Sequence, residues 1–213
     1  MVINPESRRR GVVSDAMVSL ADVTPTILAW TGTSRPAYEL HGRSLLPVLE
    51  QEKTQGWDSV VFSHVMHEVT MYYPMRTYRD RRYKLIWNLC HQLPWRDASE
   101  VTRWSTWAET LRRGDKFIGK RSIQNYIWRP VVEVYDLQTD PDEVINLAEL
   151  PQHAALRREL SEKLLARLRA TRDNWLERFQ LPMPGEAEQI SVMSPPGYSP
   201  PRPPGLDELS IVR

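Results

Sequence analysis

Leucines recur at every fourth position in the last third of the chain, and this pattern constrains the fold more than any other feature. Leu156, Leu160, Leu164 and Leu168 are separated largely by Arg, Glu and Lys. A helix through these positions carries one apolar stripe on an otherwise charged surface. Trp175 continues the stripe seven residues later. Because such a stripe must be buried against another layer, the pattern predicts one long helix that covers a sheet.

Four strand-like runs precede this helix and supply the predicted sheet. They are residues 59–62, 76–78, 83–88 and 131–135. A polar turn at residues 79–82 separates the second run from the third and predicts an antiparallel hairpin. In the third run Tyr83, Leu85 and Trp87 alternate onto one face.

Two shorter helices are predicted near the start of the chain. Thr24 is a suitable N-cap for the first, Pro25 then occupies its first helical position, and Gly32 ends it. The second lies within residues 41–50 and is capped by Ser44. Two stretches stay outside this pattern. Residues 91–130 are irregular, and residues 182–213 are rich in Pro and Gly, which predicts an extended or disordered tail.

Composition excludes several classes of protein. The 213 residues include 28 Lys or Arg and 27 Asp or Glu with interspersed signs, so no net field favours nucleic acid or an anionic membrane. No run approaches the roughly 20 apolar residues of a membrane span. We recognise no secretory signal at the N-terminus. The single cysteine, Cys90, forbids an internal disulfide but leaves the compartment open.

Motifs for several enzymatic chemistries are absent from the sequence. It has no G-x-G-x-x-G, G-x-S-x-G or H-E-x-x-H, and one cysteine cannot build a structural zinc site. Cys90 precedes His91, but neighbours on a strand point to opposite faces, so we expect a packed and unreactive thiol. Asp173 and Asn174 fit exposed helix positions better than a metal site.

The densest group of polar functional side chains lies in residues 63–76, of which we predict residues 63–74 to form a loop after the first strand. This run holds two imidazoles, a carboxylate, two aliphatic hydroxyls, two phenols and a guanidinium. Such groups hydrogen-bond the hydroxyls of a sugar, and the fork of Arg76 matches an anion such as sulfate. The same side chains are equally suited to closing a seam between domains, so both interpretations stay open.

The run from His67 to Arg76, followed by residues 83–89, closely resembles the heparan N-sulfatase (sulfamidase) branch of the sulfatases. Five further stretches resemble markers of the C-terminal half of sulfatases and occur in the family's order: residues 18–28, 42–47, 134–137, 140–143 and 146–148. The family usually has a second histidine directly before the one that matches His67, and Met66 stands there in this chain.

The resemblance implies an α/β fold, formed by the edge of an alkaline-phosphatase-like sulfatase domain and a small C-terminal α+β subdomain with an antiparallel sheet under one long helix. Residues 1–75 would end the catalytic domain, residues 76–181 would form the subdomain, and residues 182–213 would be the tail. The implied activity of the whole protein is hydrolysis of an N-sulfate or sulfate ester on a glycosaminoglycan-type sugar.

The resemblance also implies cofactors that this chain does not supply. Sulfatases use calcium and a formylglycine made from Cys in a C-x-P-S-R or C-x-A-x-R context. Cys90 lacks those neighbours, and the aspartate pairs that hold calcium have no counterpart here. We therefore expect a C-terminal fragment that is inactive without the N-terminal half, since the sulfate charge in the transition state would lack its stabilising groups.

In this interpretation His67 and Glu68 contact the glucosamine ring, and Arg76 binds the substrate or bridges the two subdomains. The expected partners are a sulfated sugar and the N-terminal half, with homodimers possible in the parent family, whose members are usually periplasmic, secreted or lysosomal. The alternative is a non-catalytic module that binds anionic glycans or another partner through Trp104, Trp107 and an arginine-rich surface. A degenerate pseudo-enzyme is a third alternative.

Overall fold

The structure is a computed structural model that describes residues 9, 11–34, 36–68, 71–103 and 105–179. Its helices are α1 (Val23–Thr31), α2 (Ser99–Arg103), α3 (Ser105–Arg113), α4 (Ile123–Ile127), α5 (Ala154–Ala170) and α6 (Asn174–Phe179). Its strands are β1 (Ser59–Met66), β2 (Tyr72–Asp80), β3 (Tyr83–Asn88), β4 (Phe117–Ile118), β5 (Arg121–Ser122) and β6 (Val132–Asp136). The chain divides into two compact units, the first being Met1–Phe62 with Tyr78–Arg81 and the second Ser63–Thr77 with Arg82–Arg213.

Four strands form the main sheet, in the order β1-β2-β3-β6. β3 and β6 pair antiparallel, with Leu85 opposite Val134. All five residues of β6 are buried, and so are residues 85–88 of β3. Both faces of these strands are therefore covered, whereas the sequence predicted one buried face for β3. The predicted hairpin at residues 76–88 and the predicted last strand are confirmed.

Helix α5 covers this sheet, as the leucine spacing predicted. Leu160 and Leu164 are completely buried, and the helix packs on β3. The prediction that the helix continues to Trp175 is wrong. Helix α5 ends at Ala170, Arg172 has a positive φ of 50°, and Trp175 lies in α6. The Asp173 carboxylate accepts a hydrogen bond from the Trp175 backbone N–H at 3.0 Å, which favours a new helix over continuation of α5.

Within the predicted loop at residues 63–74, residues 63–66 and 72–74 are strand. β1 continues to Met66 and β2 begins at Tyr72, so a short connection remains between them. Ladder pairing satisfies the backbone N–H and C=O groups of these residues, which outweighs the mixed polar composition that indicated a loop. His64 Nδ1 also lies 3.0 Å from the carbonyl oxygen of Tyr73.

The first unit contains α1 and a 3-10 turn at Leu46–Val48. Gly32 ends α1 with a φ of 65°, as predicted. The N-cap prediction is wrong, because the chain enters the helix through a capping box at Ser19 and Asp22 instead of at Thr24. The predicted second helix is only this three-residue turn, and its N-cap is Leu45 rather than Ser44, although the Ser44 hydroxyl accepts a hydrogen bond from the Leu46 N–H at 3.3 Å.

The irregular middle of the chain, residues 91–130, folds into short elements: α2, α3, the hairpin of β4 and β5, and α4. The predicted tail at residues 182–213 and Trp104 lie outside the described residues. Within the part of the chain that the structure describes, no helix has the length and apolar character to cross a membrane. The predicted domain boundaries at residues 75 and 181 stay predictions.

Candidate functional site

The candidate site lies at the turn that joins β1 to β2. His67 and Glu68 follow the end of β1 directly. The His67 side chain is 57% exposed, and its Nε2 lies 3.5 Å from Glu100 Oε1, which is also exposed. Since an imidazole both donates and accepts hydrogen bonds, an exposed histidine in this position can contact a polar ligand.

Glu68 joins this turn to the start of α2. One carboxylate oxygen accepts from the Ser99 backbone N–H, and the other accepts from the Ser99 hydroxyl at 2.9 Å. Helix starts leave backbone N–H groups without intrahelical partners, and a carboxylate is a strong acceptor for them. Glu68 is half-buried, so its first role in the structure is to hold the β1–β2 turn against residue 99.

Arg76 is buried and held by protein groups. Its Nε and one terminal nitrogen donate to the two carboxylate oxygens of Asp173, at 2.8 and 3.2 Å. The other terminal nitrogen donates to the carbonyl oxygens of Met75 and His64, at 3.0 and 3.4 Å. The Arg76 side chain is only 5% exposed. The structure therefore brings His67 and Glu68 together but pairs Arg76 with Asp173, so a sulfate could reach this guanidinium only by displacing a carboxylate.

A buried aromatic and polar cluster adjoins these strands, and the sequence did not indicate it. Trp95 packs against His64 and Tyr73, with ring centroids 5.5 and 5.2 Å apart. The guanidinium of Arg129 lies 4.6 Å above the Trp95 ring and 3.8 Å from Glu133 Oε1. The residue types are unremarkable in sequence, and their spacing follows no period. Only the fold brings these side chains together.

Glu133 is the acceptor at the centre of this cluster. It accepts from Asn88 Nδ2 at 2.7 Å and from the Tyr135 hydroxyl. Burial, reinforced by the charge of Glu133, raises the pKa of Tyr135 far above its usual range. Burial likewise raises the pKa of Tyr73. Both phenols are therefore neutral at physiological pH. Tyr135 contributes packing and its hydrogen bond to Glu133, whereas the Tyr73 hydroxyl is buried without a hydrogen-bond partner among the described residues.

Cys90 and the neighbouring His91 show no sign of an activated thiol. Burial raises the pKa of the Cys90 thiol, which disfavours the thiolate, and burial lowers the pKa of His91. Both shifts oppose formation of a thiolate and imidazolium pair. Among the described residues, no three His, Cys, Asp or Glu side chains are grouped as metal ligands.

Comparison with known proteins identifies the family. The family model described as "N-sulphoglucosamine sulphohydrolase, C-terminal" matches residues 1–96. Human N-sulphoglucosamine sulphohydrolase is 37% identical over 188 residues, which is 83% of this chain and 37% of the human protein. The chain belongs to the sulfatase family. Within it, the chain is similar to the C-terminal part of the N-sulphoglucosamine sulphohydrolases.

Two further matches are more distant. An ulvan-active sulfatase of Formosa agariphila is 28% identical over 79% of this chain and 32% of its own length. A protein solved with its substrate D-glucosamine-2-N,6-O-disulfate aligns with a TM-score of 0.46 and 22% identity, over 72% of this chain and 24% of that protein. The chain thus spans about a third of the length of the curated sulfatases that it matches.

Proposed function

We propose that this chain forms the sugar-facing wall of a sulfatase active site that hydrolyses an N-sulfate or sulfate ester on a glycosaminoglycan-type sugar. The observation that carries the proposal is the 37% identity to human N-sulphoglucosamine sulphohydrolase over most of the chain. The ulvan-active relative widens the substrate class to sulfated polysaccharides in general. The activity belongs to the assembled protein, because the chain spans only about a third of these relatives.

The β1–β2 turn is the part of the chain that contacts the sugar in this proposal. His67 is exposed and lies beside the turn that Glu68 anchors on Ser99. We assign His67 and Glu68 to hydrogen bonds with ring hydroxyls or the N-sulfo group.

Arg76 affects the sugar-contacting turn indirectly, through the residues to which it is hydrogen-bonded. Its buried pair with Asp173 holds β2 against the segment between α5 and α6, while its bond to the His64 carbonyl holds the end of β1. Both strands lead into the turn that carries His67. Arg76 is therefore a positioning residue in this proposal, and a direct contact with sulfate is the less favoured role.

The nucleophile and the metal ligands come from elsewhere in the assembled protein. Cys90 lies outside a formylglycine motif, and its raised pKa opposes nucleophilic attack. A formylglycine in that region would supply the attacking oxygen, and a bound calcium ion would supply charge that stabilises the sulfate. The residues of this chain bind and orient the sugar and exclude water from one side of the active site.

The test is a desulfation assay on N-sulfoglucosamine. The chain is expressed alone, and also co-expressed with the N-terminal region of human N-sulphoglucosamine sulphohydrolase. We expect activity only in the second case. In the active pair, His67→Ala removes one sugar hydrogen bond and lowers kcat/KM by about tenfold, as about 1 kcal/mol implies. His41→Ala, also an exposed histidine, is the control and leaves kcat/KM unchanged. Activity of the chain alone contradicts the proposal.

A glycan-binding module is the second candidate, and one observation favours it. Residues 103–129 contain seven Lys or Arg and two Asp or Glu, a formal charge of +5, in a chain of net charge +1. This whole segment lies beyond the family match at residues 1–96. Trp107 packs on Tyr126 with ring centroids 6.0 Å apart, so it supports the fold of this segment. Salt-dependent retention of the isolated chain on a heparin column, without desulfation by any assembled form, would support this alternative.

A further inference from the structure

Helix α2 brings a second carboxylate to the β1–β2 turn. Glu100 Oε1 lies 3.5 Å from His67 Nε2, and both side chains are more than half exposed. Glu68, the next residue of the turn, is bonded to Ser99, the residue before Glu100. Two successive residues of the turn therefore contact two successive residues of α2. Glu100 lies beyond the family match at residues 1–96, and no motif in the sequence points to it.

The backbone that carries Glu100 is held in place from two sides. Asp97 Oδ1 accepts from Trp95 Nε1 at 3.2 Å and from the Tyr126 hydroxyl at 2.5 Å. Burial, together with the bond to Asp97, raises the pKa of Tyr126 to about 12, so the phenol keeps the proton that it donates. On the other side, Glu68 holds the first residue of α2. The Glu100 side chain therefore extends from a backbone whose position is fixed.

The contact between Glu100 and His67 decides which ring nitrogen carries the proton. An exposed carboxylate and imidazole add little to folding stability, because water screens their attraction. A carboxylate only accepts hydrogen bonds, so it favours the tautomer of His67 in which Nε2 is protonated and directed at Glu100. In the neutral ring, Nδ1 then has no proton and is an acceptor. Carboxylates orient metal-binding histidines in the same way, through the nitrogen that does not bind the metal.

This arrangement selects the group that His67 binds. A sugar hydroxyl donates a hydrogen bond to an unprotonated nitrogen, whereas the oxygens of a sulfo group carry no proton and only accept. The carboxylates of Glu68 and Glu100 are both at this turn, and their charge disfavours a sulfo group there. The turn therefore suits a hydroxyl of the sugar better than the sulfo group that is cleaved.

We propose that Glu100 is a positioning residue of the sugar site, which holds His67 so that its Nδ1 accepts a hydrogen bond from a hydroxyl of the sugar. The identity of the ligand rests on the proposed function. The pairing of Glu100 with His67 rests on their distance and on the anchored start of α2. Of the two ligand groups assigned to His67, the hydroxyl is then the one that it binds, and the sulfo group lies elsewhere.

Kinetics with substrate analogues test the role of Glu100. The chain, co-expressed with the N-terminal region of human N-sulphoglucosamine sulphohydrolase, is assayed on N-sulfoglucosamine and on its 3-deoxy, 4-deoxy and 6-deoxy analogues. We expect one analogue to have a kcat/KM about tenfold below that of the parent sugar. Glu100→Ala should reduce this ratio to about threefold or less, and Glu100→Gln, whose carboxamide oxygen still accepts, should restore it. Glu109→Ala is the matched control, because Glu109 is a surface carboxylate of α3 that pairs with Arg112, and it should leave the ratio unchanged.

¹⁵N NMR of the imidazole rings gives a readout that needs no activity. Spectra of the full chain alone are recorded near pH 8, where histidine side chains are neutral. The signal of His67 is identified by its loss in His67→Gln. We expect Nε2 to be the protonated nitrogen in the unchanged chain and in Glu109→Ala. In Glu100→Ala the share of this tautomer should be about twofold smaller, because no carboxylate then accepts from Nε2.

Other results overturn the assignment of Glu100. They are equal kcat/KM values for all the sugars, an unchanged analogue ratio in Glu100→Ala, a ratio in Glu100→Gln no higher than in Glu100→Ala, or an unchanged tautomer share. A tautomer shift in Glu100→Ala without desulfation by any assembled form would contradict the proposed function and keep the pairing of Glu100 with His67. Desulfation with no change in ratio or tautomer would keep the proposed function and exclude this role for Glu100.

Discussion

One buried ion pair joins two distant parts of the second unit. Arg76 and Asp173 are 97 positions apart, and their side chains are 5% and 15% exposed. Asp173→Ala leaves a buried guanidinium without its carboxylate, so we expect it to lower the free energy of unfolding by about 3 kcal/mol. Urea unfolding followed by circular dichroism measures the loss.

Glu159→Ala is the matched control for that substitution, because Glu159 pairs with Lys163 on the exposed surface of α5. An exposed pair contributes about 0.5 kcal/mol or less. Replacing both partners, as in Arg76→Met with Asp173→Leu, is expected to recover part of the loss, because no buried charge then lacks a partner. Equal losses of unfolding free energy for Asp173→Ala and Glu159→Ala would mean that the buried ion pair stabilises the protein no more than an exposed pair does.

His91 makes stability depend on pH. Burial lowers its pKa in the folded protein, and among the described residues its Nε2 has no hydrogen-bond partner. The unfolded chain therefore binds a proton more readily than the folded chain. The stabilisation is present above the unfolded pKa of about 6.5 and is lost as pH falls through the lower folded value.

We expect His91→Gln to reduce the decrease in unfolding free energy between pH 7.5 and pH 5.5. One proton contributes at most about 1.4 kcal/mol per pH unit to that decrease. Urea midpoints at the two pH values measure it. His41→Gln, at an exposed site, is expected to leave the difference in unfolding free energy between the two pH values unchanged. An undiminished pH dependence in His91→Gln would rule out this histidine as its source.

At the scale of elements, helix α5 packs on β3. Leu164 of this helix is completely buried, whereas Leu156, on the same stripe, is half-buried. Leu164→Ala removes three carbons from a closed core and is expected to cost about 3 kcal/mol. Leu156→Ala, the matched control, should cost less than half as much. Thermal unfolding of both variants tests this, and similar losses would show that α5 does not pack as described.

Elements were predictable where one local pattern decided them. The four-residue leucine spacing predicted α5, and alternation with a polar turn predicted the β2–β3 hairpin. The break before Trp175 was not predictable, since it involves Asp173, which pairs with Arg76 far away in sequence. The extension of β1 into residues 63–66 was missed for the same reason. Its polar side chains indicated a loop, but pairing with β2 decided its conformation.

At the scale of the whole molecule, charge acts together with an exposed apolar groove that α1 and residues 45–49 form. The net charge is +1 and the isoelectric point is about 7.9. Because repulsion between copies is weakest there, we expect light scattering by the chain alone to be greatest near pH 8 and to fall towards pH 6, where the net positive charge is larger. Ile27→Glu should reduce scattering at pH 8, since it places a charge on the groove. Scattering that rises steadily towards pH 6 would contradict this account.

The sequence by itself determined the family, the covering helix, the hairpin, and the absence of a formylglycine motif around Cys90, because each of these depends on residues that are close together in the sequence. It also indicated His67 and Glu68 as a pair. Only the tertiary structure decided that Arg76 is buried against Asp173, that Glu68 anchors on Ser99, and that α1 presents an apolar groove. These features depend on which side chains from distant positions in the sequence compete for the same hydrogen-bond or ion-pair partner, and on which apolar side chains remain exposed. That competition is settled by packing and desolvation in three dimensions, which local spacing does not encode.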